Sequence, residues 1–196
     1  MDARRVSSHP KKGLQIGALL GFLDESGFSD RPTVRRTWSR KGITPIIKTA
    51  GGWKTRSVIG TITTRPDGSC PRLFLSINQQ TVHKEDVIRY LKQLKRHLHG
   101  GKLILLWDGL AAHRARQTAA YILSQSSWLS VERMPSYAPE LNPPEYAWSN
   151  MKTKDTANTC PKTIFDVDRL IQKGARRIRR SPTLLQGFVK ASGLFG

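Results

Sequence analysis

The sequence predicts an α/β protein, a mixed sheet flanked by helices, and three observations carry that reading. Two continuous apolar runs, Gly17 to Leu23 and Lys102 to Trp107, each close on an acid, Asp24 and Asp108. Between them lie two β-branched or apolar segments around a turn signature, then a stretch of helical periodicity. Strands and helices then alternate along the chain, the order expected of one sheet carrying helices.

Taken in order, Met1 to Gly13 is basic, contains His9-Pro10 and Lys11-Lys12-Gly13 and has no periodicity, so it reads as a flexible arm able to touch phosphates. Residues 14–196 are then one domain. Gly17 to Asp24 reads as a fully buried central strand with Asp24 at its C-terminal end and a loop at Ser26-Gly27. Arg56 to Thr64, the turn Pro66-Asp67-Gly68 and Arg72 to Ile77 form a hairpin. From Thr81, Val87, Leu91, Leu94 and Leu98 recur at helical spacing, with acids in the first turn and Lys95, Arg96 and His97 in the last, predicting a helix of about 17 residues. Lys102 to Trp107 is a second buried strand, ending at Asp108-Gly109. His113 to Ser124 reads as a helix, Leu129 to Met134 as a short strand, and Pro135 to Pro144 as a loop feeding a helix that begins near Asn142. Ile164 to Arg180 is the last helix, amphipathic and heavily basic, and no internal repeat is present.

A chain of 196 residues is the length of one domain with one active site. Its 38% hydrophobic content, with five Trp and six Phe, excludes the disordered class. Lys and Arg number 33 against 14 acids, a net charge of +19, which points to a polyanionic partner bound in a strongly salt-dependent way. A merely basic, solvated surface is the plainer reading. Cys70 and Cys160 stand far apart without CxxC or Cys/His clustering, so neither a zinc site nor a disulfide is indicated and a reduced, cytoplasmic setting fits. The run Leu14 to Leu23 behind Arg4, Arg5, Lys11 and Lys12 has the outline of a signal peptide, but it ends in Asp24-Glu25 without a cleavage site. No apolar run reaches the roughly 18 residues a membrane span needs, so no membrane partner is expected.

Three acids, Asp24, Asp108 and Glu145, come from separate elements and suit hard cations, which take oxygen ligands. Strands pair about 4.8 Å apart, so carboxylates at two neighbouring strand ends can share an ion. Each acid also has a plainer reading. Asp24 can terminate a strand at a turn, and Asp108-Gly109 is a common turn dipeptide. Asn142-Pro143-Pro144-Glu145 fits a capping box with Pro at the first helical position. Glu25, beside Asp24, points to the opposite strand face and reads as structural. Trp148 follows Glu145 by three residues on one helical face and reads as core packing. Arg35 and Arg36 with Trp38 and Trp53 fit either a DNA-facing hairpin or a solvated basic loop.

The flanks of the three acids resemble the DDE transposases of the mariner superfamily, in particular the bacterial insertion-sequence branch. Phe22-Leu23-Asp24-Glu25-Ser26-Gly27-Phe28 is similar to the strand bearing that family's first catalytic Asp. Leu103-Ile104-Leu105-Leu106-Trp107-Asp108, with His113 five residues on, resembles its second. The most specific block, Pro135 to Trp148, contains Pro139-Glu140-Leu141-Asn142-Pro143-Pro144-Glu145-Tyr146-Ala147-Trp148 and resembles the signature around its third acid. The 36 residues between Asp108 and Glu145 suit the family's spacing.

The resemblance implies a ribonuclease H-like fold, two Mg²⁺ or Mn²⁺ ions held by Asp24, Asp108 and Glu145, and DNA cleavage at transposon ends followed by strand transfer. It implies that His113 and Asn142 contact phosphate or orient the ligands, and that the enzyme works as a homodimer in the bacterial cytoplasm at the nucleoid. Arg35, Arg36, Lys54, Arg176, Arg177, Arg179 and Arg180 are the expected DNA contacts. Three departures stand out: Gly109 where the family has Asn, Pro144 where it has a branched aliphatic, and about 16 residues before the first strand where it carries helix-turn-helix modules. A separate chain could supply that module. The alternatives to a transposase are a non-catalytic DNA-binding remnant and a ribonuclease H-like nuclease.

Overall fold

The computed structural model describes residues 9–31, 33–47, 52–135 and 138–195. Helix α1 (His9–Ile16) leads into β1 (Leu19–Ser29), β2 (Thr55–Thr64) and β3 (Arg72–Asn78). Helix α2 (Lys84–His97), β4 (Leu103–Trp107), the short α3 (Ala111–Arg114), α4 (Arg116–Ser124) and β5 (Leu129–Arg133) follow. A single 3-10 turn (Pro139–Leu141) precedes α5 (Pro143–Lys154), α6 (Ile164–Arg179) and α7 (Pro182–Ala191). The five strands form one sheet in the order β3-β2-β1-β4-β5, with β1, β2 and β3 antiparallel and β4 and β5 parallel to β1. This is the mixed α/β sheet that the sequence predicts.

β1 lies at the centre because both its faces are apolar. Leu23, with Ile59, Leu103 and Leu105, packs against Val87, Leu91 and Leu94 of α2. On the other face Phe28, Val58, Ile62 and Leu73 pack against Trp148 and Met151 of α5 and against α6 and α7. Burying side chains on both faces is what makes such strands read as continuous apolar runs.

Four expectations change. Residues 9–13 of the expected arm lie in α1, where Gly13 packs closely on Leu20 and Pro66; residues 1–8 fall outside the described residues. β1 does not stop at Asp24 but runs five residues further, because β2 pairs with it as far as Ser29↔Thr55. Ser26 and Gly27 are therefore strand residues opposite Val58 and Ser57. Pairing with β4 ends earlier, at Phe22↔Leu106, so Asp24 sits mid-strand yet just beyond the parallel ladder. The third change is α7: α6 is not the last helix, since Ser181 caps a further one and Pro182 opens it. The expected helix from His113 is also divided at Ala115, whose extended ψ of 138° separates α3 from α4. Both cysteines are free and exposed, and among the described residues no helix is long and apolar enough to cross a membrane.

Candidate active site

Asp24 leaves β1 on the face covered by α5. Its side chain is buried, and Trp148 donates from Nε1 to its Oδ2 at 2.9 Å. Trp148 can reach it because Gly60, paired with Asp24 on β2, leaves room for the indole: a Cβ there would stand 2.5 Å from the ring. Burial, then the charges of Glu145 and Glu25 and lastly Asp108, raise the Asp24 pKa to about 7, against the opposing bond from Trp148. A carboxylate surrounded by carboxylates in so basic a chain is the central electrostatic feature of the site.

Glu145 is exposed in the first turn of α5, behind Pro143 and Pro144. The expected capping box does not form. Glu145 donates its backbone N–H to the Asn142 carbonyl, but the buried Asn142 side chain makes no cap bond and its Oδ1 has no partner.

Asp108 follows β4 directly, about half exposed. His113 of α3 holds it, donating from Nδ1 to Oδ1 at 2.9 Å while the Leu110 N–H donates to the same oxygen. The other ring nitrogen, Nε2, donates to Glu25 Oε1 at 2.8 Å, and the imidazole lies flat on Trp107 with ring centroids 4.2 Å apart. Burial works against protonation of this ring, but the bonds and charges of Asp108 and Glu25 outweigh it and raise its pKa to about 9. For Asp108 burial acts upward and is overcome by His113 and the Leu110 N–H, so its pKa is lowered.

The three expected acids thus interact around Asp24, but they do not form a tight ligand set. Among the described residues, the one group of such side chains whose ligand atoms lie within 4.8 Å of each other is Glu25, Asp108 and His113. Glu25 does project from the face opposite Asp24, as alternation requires, yet it is tied to the site through His113. Its Oε2 is buried without a partner. Gly109 is not sterically required, since a Cβ there would meet the Arg133 guanidinium at an ordinary 3.7 Å.

The expected DNA contacts divide. Arg35, Arg36 and Lys54 are exposed in the β1–β2 connection, where Asn158 fixes the Arg35 backbone through bonds of 2.8 and 2.9 Å. Residues 33–47 form no strand, so Trp38 (99% exposed) stands on an irregular segment and not on a hairpin, while Trp53 stacks under Arg31. On α6, Arg177 is engaged by Asp155 and Asn150, both at 2.6 Å, and Arg179 donates to the Leu73 carbonyl of β3. Those two serve the fold. Arg176 and Arg180 are exposed.

Residues 20–165 match the family model of the DDE superfamily endonucleases. No curated protein matches. Among solved structures, the Mos1 transposase paired-end complex with left transposon end aligns at a TM-score of 0.62 and 16% identity, over 98% of this chain and 63% of that one. The Mos1 mariner paired end complex with Mn aligns at 0.60 and 15%, over 98% and 64%. The catalytic domain of Mos1 mariner transposase aligns at 0.57 and 14%, over 98% and 96%. The chain therefore spans just under two thirds of the transposase chains in those complexes and nearly all of the isolated catalytic domain. The shared fold is ribonuclease H-like.

Proposed function

The chain belongs to the DDE superfamily endonuclease family, and from that premise we propose that it is the catalytic domain of a metal-dependent DNA transposase. It would cut DNA at the ends of a mobile element and join them to a target. The observation that carries this reading is the Asp24 carboxylate, buried and forced toward protonation by Glu145, Glu25 and Asp108. Carboxylates held together against their own repulsion and burial cluster at functional sites, and bound cations would offset that repulsion.

The residues fit divalent metal. The three acids offer oxygen donors, which suit Mg²⁺ or Mn²⁺, and while His113 is paired with Asp108 and Glu25, no basic side chain offsets the repulsion at Asp24 itself among the described residues. Asp24, Asp108 and Glu145 are the ligands we assign, to two ions. When bound, such ions stabilise charge on the attacking and leaving oxygens of a phosphodiester. The chain's own part is to orient the ligands. Trp148 fixes Asp24 Oδ2, and His113, braced by Glu25 and Trp107, fixes Asp108. Asn142, its Oδ1 unpartnered at the start of α5, is suited to a bound water or to the phosphate's surroundings.

Arg35, Arg36 and Lys54 are the DNA contacts favoured by their exposure, and Arg180 is a further candidate. Pairing two element ends calls for two catalytic domains, hence a homodimer. Recognition of the end sequence calls for a helix-turn-helix module, on further polypeptide or on a separate chain. The Pro135–Trp148 block supports placing the chain in the bacterial insertion-sequence branch, acting at the nucleoid.

The test is nicking of supercoiled plasmid at low salt with Mn²⁺ or Mg²⁺, comparing wild type with Asp24→Asn and Asp108→Asn. Divalent-dependent nicking should fall by at least about a hundredfold in each variant while DNA binding persists. Wild-type nicking in either variant would remove that acid from the site. A chain that binds DNA but never nicks it would be a binding protein only.

A further inference from the structure

β3 is an outer strand, paired along one side only, with β2. The Leu73 carbonyl accepts from Arg179, so it faces away from β2. In an antiparallel ladder alternate residues turn both N–H and C=O to the same side, which places the backbone groups of Leu75 and Ile77 on that outer edge as well. Among the described residues, no backbone hydrogen bond from outside the sheet reaches Leu75 or Ile77.

Three cavities line up along this edge. One of about 440 Å³ lies beside Leu73 and Phe74, walled by Tyr90, Leu94 and His97 of α2. The next, about 390 Å³, lies between Leu75, Ile77 and the α6 residues Gln172, Arg176 and Arg179. The third, about 440 Å³, continues past Ile77 and Asn78 to Gln80, His83 and Arg89. At that end the Asn78 Nδ2 is buried without an acceptor. The walls carry Arg72, Arg89, Arg176 and Arg179; the one acid lining any of the three, Asp86, is taken by Arg89 at 2.9 Å and by the His83 N–H.

We propose that this edge binds an extended acidic peptide segment of a partner protein, added to the sheet as a sixth strand. Unpaired N–H and C=O groups at strand spacing recruit a peptide backbone, and flanking pockets receive its alternate side chains. Arg72 and Arg176, exposed and, among the described residues, not engaged by the fold, select acidic residues among those side chains. A second copy of this chain is disfavoured, since edge-to-edge pairing would oppose two arginine-lined troughs on chains of +19 each. A DNA backbone has no N–H to offer the Leu75 and Ile77 carbonyls and gains nothing from the apolar walls. The register Asp24↔Gly60↔Leu75 sets the edge two strands, about 10 Å, from the acid cluster, so a partner here leaves that site open. The inference stands apart from the proposed catalysis.

The test uses short fluorescent peptides alternating Val and Glu, followed by anisotropy, with amide hydrogen exchange of the protein. The Val–Glu peptide should bind at least about tenfold tighter than its Val–Lys counterpart and than a copy N-methylated along one edge. Exchange at Leu75 and Ile77 should slow on binding. Arg72→Glu and Arg176→Glu, both at exposed positions, should each weaken binding by about tenfold with the circular dichroism unchanged. Absent or equal binding of the three peptides, unaltered exchange at those amides, or displacement by a DNA duplex that itself protects them would overturn the proposal. Peptide binding and amide exchange do not depend on nicking, so failure here would leave the catalytic assignment standing, and the reverse holds equally.

Discussion

Trp148 holds Asp24 in place while burial and three neighbouring acids work against its charge. An unfolded Asp titrates near 3.8, and here the folded value is raised to about 7. The folded chain therefore binds the proton more tightly, and stability falls as pH rises between those two values. Above pH 7 the whole cost is present, on the order of 4 kcal/mol. Asp24→Asn removes the charge and keeps an acceptor for Trp148. Its Tm in EDTA should exceed that of wild type at pH 8, and the gap should close near pH 4. Mn²⁺ should raise Tm for wild type far more than for the variant; equal melting at pH 8 would show that the acid cluster costs the fold nothing. His113 shifts in the same direction, so its contribution also falls as pH rises, over a higher range. Its raised pKa means that its pairing with Asp108 and Glu25 is fully present below about pH 6.5 and is lost as pH rises through about 9. Glu25→Gln keeps the shape of the brace and removes its charge, and should weaken Mn²⁺ binding by about 10–100-fold, as residues that orient metal ligands do. A Mn²⁺ titration with wild-type affinity would mean that Asp108 needs no support from the far face of the sheet.

Between elements, the tightest coupling in the site is the fit of α5 against β2 at Gly60. A Cβ there would meet the Trp148 ring at 2.5 and 2.9 Å and the Phe74 carbonyl at 3.1 Å. Gly60→Ala must displace the indole and its bond to Asp24 with it, at a cost of about 1–3 kcal/mol of stability. Denaturant unfolding and plasmid nicking should both register the change, and a variant unaltered in both would mean that the ring moves freely. Little of this was legible in the sequence. The strands are legible because central strands buried on two faces are apolar throughout, and the three acids stand out in the sequence because their flanks form recognisable blocks. Ser26-Gly27 misled because nothing in the local sequence reveals that β2 pairs past them. α7 has a legible start at Ser181-Pro182, but the amphipathic, basic segment ending at Arg180 reads as the last helix. The link from Glu25 to His113 spans 88 residues and left no local trace.

Over the whole molecule, the +19 charge promises DNA binding but does not locate it, because cations already paired in the fold release no counterions when DNA binds. Each phosphate neutralised contributes about 0.9 to the slope of log K against log salt, so the slope counts the side chains that engage. Arg35 and Arg36 are exposed in the β1–β2 connection, whereas Arg177 is held by the buried Asp155. Arg35→Ala or Arg36→Ala should lower the slope by roughly 1 and leave Tm unchanged. Arg177→Ala should leave the slope alone and lower Tm, because it strands a buried carboxylate without its partner. Measuring both quantities for all three variants separates cations that bind DNA from cations that hold the fold. A slope reduced by Arg177→Ala at constant Tm would mean that this arginine leaves Asp155 for a phosphate, and the DNA-binding face would then extend from the β1–β2 connection to α6.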